Sequence, residues 1–298
     1  GQVCRRRGPV AQSQAVDHDL VQPLRMQPHR DLVDVVQVHR RDHRLLQVVI
    51  QASSIKLNDA VPNHLTFLID VSGSMQSDDK LPLLRDALSM LVKQMRETDR
   101  VAIVVYAGNA GLVLPPTAGR HMPKILEAID QLEAGGSTAG GEGIVLAYKV
   151  ALQQYSARAN NRVILATDGD FNVGVSDDAS LVKLIEEKRD HGIFLSVLGF
   201  GTGNYQDAKM EKLADKGNGN YAYIDNLLEA KKVLVKEMGG TLVTVAKDVK
   251  IQVEFNPKYV KSYRLIGYDN RMLAHEDFKD DRKDAGDVGS GHSVTALY

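Results

Sequence analysis

Short apolar runs alternate with longer amphipathic segments between residues 60 and 240. An unbroken apolar run is typical of a strand buried on both faces of a parallel sheet, whereas apolar residues spaced three or four apart are typical of helices. A helix is predicted after the turn that follows the first strand. The pattern further predicts strands at 65–69, 101–106, 162–167, 193–198 and 221–224, a short edge strand at 112–114 that two prolines end, and helices at 121–133, 142–156, 177–190, 207–216 and 226–238. This alternation indicates an α/β domain with a doubly wound, mostly parallel sheet.

The pattern changes on both sides of this domain. Apolar and polar residues alternate in strand-like fashion at 249–255, 260–266 and 293–298. Residues 44–55 have the same character, and the two chain ends of a domain often lie close together. We therefore expect a small antiparallel β unit, built from residues 43–59 and 241–298, which flank the α/β domain at 60–240.

Residues 1–42 differ from the rest of the chain in composition. The first fifty residues contain eight Arg and no Lys, and they lack Glu, Asn, Thr, Phe and Tyr. An Arg-rich arm for nucleic acid is one interpretation, but five Asp residues offset the arginines and no aromatic side chain is present to stack on bases. We expect a disordered segment, or an artefact of a shifted reading frame joined to the gene near His43, and no nucleic-acid binding.

Overall composition narrows the function classes. The chain has 298 residues, 43% of them hydrophobic, and a formal net charge of −1, so no global charge attracts nucleic acid or anionic membrane. The single Cys4 excludes an internal disulfide, and the nine His are not spaced as zinc ligands. The chain contains no signal peptide and no apolar stretch of transmembrane length. Since it starts at Gly1 and stops in a strand-like run, we expect a fragment, with membrane attachment only through an anchor outside it.

The turn after the first predicted strand carries oxygen donors at every second position. Asp70, Ser72 and Ser74 supply one carboxylate and two hydroxyls where ligands bind in open α/β sheets. Oxygen donors suit a hard cation such as Mg²⁺ or Mn²⁺ better than zinc. Thr138, in a glycine-rich loop, and Asp168, at the end of another apolar run, add two donors. Each residue alone would more often cap a helix or turn, but together they predict a metal site.

Three motifs in this set resemble a known family. Asp-x-Ser-x-Ser at 70–74, Gly-Ser-Thr at 136–138 and Thr-Asp-Gly at 167–169 are similar to the metal-ion-dependent adhesion site of von Willebrand factor type A domains. The resemblance implies that Mg²⁺ or Mn²⁺ is bound by Asp70, Ser72, Ser74, Thr138 and Asp168. It also implies an open position on the ion that an Asp or Glu of a protein partner fills. The partner-binding rim would include Gly73, Ser137, Gly169 and Asp170.

A narrower resemblance suggests a setting for this module. Residues 168–174, 199–204 and 216–223, with the tail through 284–286, look like one bacterial group of such proteins that carries a C-terminal domain of unassigned role. This resemblance favours adhesion or assembly outside the cytoplasm, in an extracytoplasmic or cell-envelope location. The alternative is a cytoplasmic adaptor of an AAA+ ATPase assembly.

Other motifs give weaker signals of chemistry. The glycine-rich turn at 199–203 lacks the spacing and the later acidic residue of a dinucleotide site. Asp70-x-Ser72 resembles the start of a phosphoaspartate motif, but Ser72 stands where a second Asp would act as the general acid. The acidic segment 276–284 does not have the oxygen spacing of an EF-hand loop. We therefore expect a binding protein and not an enzyme.

Overall fold

The computed structural model describes residues 34–39, 44–52, 61–136, 140–169, 171, 178–201, 207–237, 244–251, 253–267, 286–290 and 293–298. The chain divides into two compact units. Residues 1–54 and 244–298 form the flanking unit, and residues 55–243 form the α/β unit.

The elements of the described residues follow the predicted alternation. The strands are β1 (Asp34–His39), β2 (Arg44–Gln51), β3 (Asn63–Asp70), β4 (Arg100–Ala107), β5 (Asn109–Ala118), β6 (Asn160–Thr167), β7 (Ile193–Phe200), β8 (Tyr221–Ile224), β9 (Thr244–Val249), β10 (Gly286–Gly289) and β11 (Ser293–Leu297). The helices are α1 (Leu81–Val92), α2 (Met122–Asp130), α3 (Gly140–Gln153), α4 (Asp178–Asp190), α5 (Asp207–Lys216) and α6 (Leu227–Lys231), the last continuing into a π-helical turn (Lys232–Glu237). None of the helices in this described part of the chain combines the length and apolarity needed to cross a membrane.

The α/β unit is built on a six-stranded sheet with the order β5-β4-β3-β6-β7-β8. All neighbouring strands are parallel except β5, which is antiparallel to β4. β4 and β5 lie on one side of β3, and β6, β7 and β8 lie on the other, so the strand order changes direction between β3 and β6. The prediction of a doubly wound, mostly parallel sheet is therefore confirmed. The end of β3 lies at the topological switch point, which is where ligands bind in open α/β sheets.

Each face of the sheet is covered by helices. Successive side chains of β3 point to opposite faces, as strand geometry requires. Phe67 and Ile69 pack with α1, α2 and α6, whereas Leu68 packs with α3, α4 and α5. All three side chains are fully buried. This two-sided burial explains why β3 is an unbroken apolar run.

The edge strand β5 differs from the prediction. A run at 112–114 precedes Pro115 and Pro116 and favours an edge strand that the prolines end, but the strand continues through both to Ala118. Its pairing with β4 is irregular there, since Thr117 lies opposite Val101 while Leu114 lies opposite Ile103. A proline lacks the N–H that a ladder requires, and an irregular edge strand tolerates that loss.

The flanking unit is antiparallel, as predicted. β2 lies between β1 and β11 in a three-stranded sheet, and β9 pairs with β10. Leu46, Val48 and Ala296 form a small buried cluster on this sheet. The predicted strand at 249–255 is displaced, because β9 ends at Val249.

The N-terminal segment also differs in part from the expectation. Residues 1–42 are expected to be disordered or artefactual, but residues 34–39 within them form β1, in continuous register with β2. The three valines in Asp34–His39 suit a β-strand, and the last four residues alternate between apolar and polar. Residues 1–33 lie outside the described part of the chain.

Candidate metal-binding site

The predicted ligands are brought together by the parallel register of the sheet. β3 and β6 pair with Ile69 opposite Ala166. Asp70, the last residue of β3, and Asp168, the first residue after β6, therefore lie at the same edge of the sheet. Two backbone hydrogen bonds attach the glycine-rich loop to this edge. Gly73 N donates to Gly136 O over 3.1 Å, and Gly135 N donates to Val71 O over 2.7 Å.

All three predicted segments therefore meet at one place, although not every predicted residue can be located there. The structure places Asp70, Ser72, Ser74 and Asp168 of the five predicted ligands, and Gly73 and Gly169 of the rim. Thr138, Ser137 and Asp170 lie outside the described residues. Gly73 is exposed, whereas Gly169 is buried, so a direct partner contact is not expected at Gly169.

Asp70 is fully buried and held by three donors. Its Oδ1 accepts a hydrogen bond from Ser72 N at 2.9 Å, and its Oδ2 accepts from Tyr106 Oη at 3.0 Å and Thr167 Oγ1 at 3.2 Å. Burial raises the pKa of Asp70, and the nearby charge of Asp168 adds to this, while the bonds from Ser72 and Tyr106 oppose it. The side chain is thus fixed in orientation before any ligand binds.

These contacts also join Asp70 to the neighbouring hydroxyls. The Ser72 side chain bonds to the Asp70 carboxylate in addition to the hydrogen bond from Ser72 N. A cation bound at Asp70 would take the place of this hydroxyl bond. Tyr106 and Thr167 act as supports of the kind that orient metal ligands elsewhere.

Ser72 and Ser74 form the second part of the site. Their Oγ atoms lie 3.0 Å apart; Ser72 immediately precedes the short 3₁₀ turn Gly73–Gln76, and Ser74 lies within it. In an octahedron with metal–oxygen bonds of about 2.1 Å, neighbouring ligands lie about 3 Å apart. Ser72 is buried and Ser74 is exposed, so the pair reaches from the interior to the surface. This spacing fits two adjacent ligands of Mg²⁺ or Mn²⁺.

Asp168 follows β6 in a tight turn. Its Oδ2 accepts a hydrogen bond from Lys80 Nζ at 2.8 Å. Gly169 N donates to Thr167 Oγ1 over 3.2 Å, and Gly169 has φ of +100°, which favours glycine at this position. Among the described residues, no three His, Cys, Asp or Glu side chains cluster in a way that could hold a metal ion. An ion at this edge would therefore depend on the serine hydroxyls.

Three residues of the site were not predicted from the sequence. Tyr106 lies opposite Asp70 in the register of β3 and β4, but it appears in the sequence as part of an apolar run. Thr167 is next to a predicted ligand, which is a signal that could have identified it. Lys80 precedes α1 and resembles any exposed lysine until its contact with Asp168 is seen.

Comparison with known proteins agrees with this architecture. Residues 64–236 match the family model of the von Willebrand factor type A domain, and residues 240–298 match a model described as "Uncharacterized protein YfbK, C-terminal". The chain is 50% identical over 254 residues to the uncharacterized protein YfbK of Escherichia coli strain K12, an alignment that covers 85% of this chain and 44% of that protein. The chain therefore spans less than half the length of this relative.

Solved structures show the same fold. A von Willebrand factor type A protein from Catenulispora acidiphila has a TM-score of 0.57 at 18% identity, covering 85% of this chain and 59% of that one. The conserved hypothetical protein BatB from Bacteroides thetaiotaomicron has a TM-score of 0.50 at 21% identity, covering 59% of this chain and 97% of that one. With the family model matching more than half of its residues, the chain belongs to the von Willebrand factor type A family.

Proposed function

We propose that the α/β unit is a metal-ion-dependent protein-binding module whose Mg²⁺ or Mn²⁺ is completed by an Asp or Glu of the partner. Von Willebrand factor type A domains are protein-interaction modules. The proposal adds the metal and the chemistry of the partner to that general role. Asp70, Ser72, Ser74, Thr138 and Asp168 are the proposed ligands.

The observation that carries the proposal is the pair of serine hydroxyls beside a buried carboxylate. Ser72 Oγ and Ser74 Oγ are 3.0 Å apart, and the Ser72 side chain also bonds to the buried carboxylate of Asp70. The ordinary alternative for such serines is helix capping, but neither Ser72 as the N-cap of the 3₁₀ turn nor Lys80 as the N-cap of α1 makes a side-chain capping bond. Instead, the two hydroxyls bond to each other, and Ser72 also bonds to Asp70, which places all three groups where an ion could bind them.

A partner carboxylate suits this site for an electrostatic reason. The hydroxyl ligands are neutral, and Tyr106, Thr167 and Lys80 already donate hydrogen bonds to the two carboxylates. A divalent ion bound there would offer an open coordination position and a positive charge that these ligands neutralise incompletely. An acidic side chain of a partner supplies both the missing ligand and the missing charge.

We propose binding and not catalysis for this site. A phosphoaspartate enzyme needs a second acid two residues after its nucleophile, and Ser72 occupies that position here. A serine hydroxyl bonded to Ser74 is a poor proton donor to a leaving group, because its pKa is far above that of a carboxylic acid.

The experiment is metal binding by the full chain, measured by isothermal titration calorimetry with MgCl₂ and MnCl₂. Ser74→Ala removes an exposed hydroxyl and should weaken binding without loss of fold, whereas Ser77→Ala in the same loop should bind as wild type. A capture experiment then compares partners retained from a bacterial lysate in Mg²⁺ and in EDTA. Equal heats for wild type and Ser74→Ala, or partners retained equally in both buffers, would refute the proposal.

A further inference from the structure

Lys80 connects two of the loops that form the site. Its Nζ donates a hydrogen bond to Asp168 Oδ2 over 2.8 Å and to the Ser74 carbonyl over 3.0 Å. Ser74 follows β3 and Asp168 follows β6, so the ammonium joins the ends of two neighbouring strands. The side chain of Lys80 is 20% exposed and that of Asp168 only 4%, so this ion pair is shielded from water.

The lysine stem lies against the backbone of the residue that follows β7. A Cβ placed at Gly201 would lie 2.4 Å from Lys80 Cε and 2.9 Å from Lys80 Cγ, and Gly201 has φ of +84°, which favours glycine. The stem thus passes close to a third strand end, while the two hydrogen bonds hold the ammonium at Asp168 and Ser74.

Two cations cannot share these groups without repulsion. Ser74 supplies its hydroxyl to the proposed ion and its carbonyl to Lys80, and Asp168 serves both cations as well. A divalent ion and an ammonium on the same two residues repel each other strongly, because the site is only partly hydrated. One of the two cations must leave, or the affinity for the other must fall.

We propose that Lys80 is a tethered competitor of the divalent ion: its ammonium neutralises Asp168 while the ion is absent and leaves Asp168 when the ion binds. The inference rests on the proposed metal site and assigns to it a built-in control of affinity. Without metal, Lys80 keeps the loops after β3 and β6 together. With metal, its ammonium is released at the rim, where it adds a positive charge beside an incoming acidic partner.

The test uses the full chain with Lys80→Met, which keeps an unbranched apolar stem against Gly201 and removes the charge. Lys93→Met, at an exposed position just after α1, is the matched control. Calorimetry with MnCl₂ and MgCl₂ should show metal affinity raised by roughly tenfold or more in Lys80→Met, since one like charge a few ångströms away is removed. Lys93→Met should bind as wild type.

A second measurement does not depend on metal binding. In EDTA, Lys80→Met should unfold at a lower temperature than wild type, because Asp168 loses its counter-charge while it remains buried. Saturating Mn²⁺ should remove that difference.

The outcomes separate this inference from the proposed function. If the wild type binds metal and Lys80→Met binds it with equal or weaker affinity, the inference is overturned and the proposed metal site stands. If neither protein binds metal, the proposed metal site and the inference are both refuted. Binding by Lys80→Met but not by wild type supports the inference in its strongest form.

Discussion

Tyr106 donates a hydrogen bond to Asp70 Oδ2 over 3.0 Å, with both side chains fully buried. The two residues face each other because β3 and β4 pair with Asp70 opposite Tyr106. Burial, and then the charge of Asp70, raise the pKa of Tyr106 well above its usual value, so that the phenol remains protonated and able to donate. A strand of the core thus prepares the carboxylate on which the site depends.

Tyr106→Phe should therefore lower the free energy of unfolding by about 1–3 kcal/mol, the usual loss for a hydrogen bond to a charged acceptor. The ring should keep its edge-to-face contact with Phe171, whose centroid lies 5.6 Å away. Urea denaturation of the full chain measures the effect. Unchanged stability would mean that the bond contributes nothing to holding Asp70.

Tyr148→Phe provides the matched contrast. Tyr148 in α3 is 1% exposed, and its hydroxyl has no hydrogen-bond partner among the described residues. Removing an unpaired buried hydroxyl should leave stability unchanged or raise it by about 1 kcal/mol. The same urea titration decides, and a loss as large as that of Tyr106→Phe would contradict the structure.

Gly143→Ala should destabilise the α/β unit. A Cβ at this position in α3 would lie 2.9 Å from Tyr106 Cβ and 3.1 Å from Leu68 Cδ1. Overpacking of this kind costs about 1–3 kcal/mol, which exceeds the helix-propensity gain of about 1 kcal/mol. Gly135→Ala is the control, since none of the described residues comes within 4 Å of a Cβ placed there. Thermal unfolding should separate the two variants, and equal melting temperatures would refute the close contact of α3 with the sheet.

Stability should fall as the solution is acidified through the range in which His64 titrates. Burial lowers the pKa of His64 from its usual 6.5, although the hydrogen bond from its Nδ1 to the Gln154 carbonyl at 2.5 Å opposes this. His64 therefore binds a proton more readily in the unfolded chain than in the folded protein. The contribution of neutral His64 is thus complete above pH 6.5 and is lost as the pH falls through its lower folded value.

Urea titrations between about pH 7.5 and 5.5 test this by difference. His64→Gln should show a weaker fall in stability than wild type, because it has no proton to bind. His121→Gln, at an exposed position, should follow wild type. Parallel curves for wild type and His64→Gln would contradict the expectation.

The parts of the site that follow a strand directly could be predicted from the sequence. Asp70 and Asp168 mark the points where apolar runs give way to polar residues, and parallel strands bring such points together. Tyr106 could not be recognised in the same way, because its role depends on the register between β3 and β4. Lys80 could not be recognised either, because its contact partner Asp168 and the neighbouring Gly201 lie far away in the sequence.

The fold shows the same division between local and tertiary causes. The alternation of strands and helices is a local pattern, and it correctly predicted the central sheet. The effect of Pro115 and Pro116 was wrongly predicted from local propensity, since the position of β5 at the edge allows the strand to continue. Likewise β1 acquires its strand conformation from pairing with β2, which composition alone does not reveal.

The pairing of β2 with β11 determines the order in which the two units can fold during synthesis. β2 emerges before the α/β unit, and β11 emerges after it. The α/β unit has all the strands of its sheet within residues 55–243 and can close first. During that interval the edge of β2 that later pairs with β11 is exposed, and an exposed strand edge is open to association with other chains. The three-stranded sheet of the flanking unit can therefore be completed only after the whole α/β unit has been synthesised.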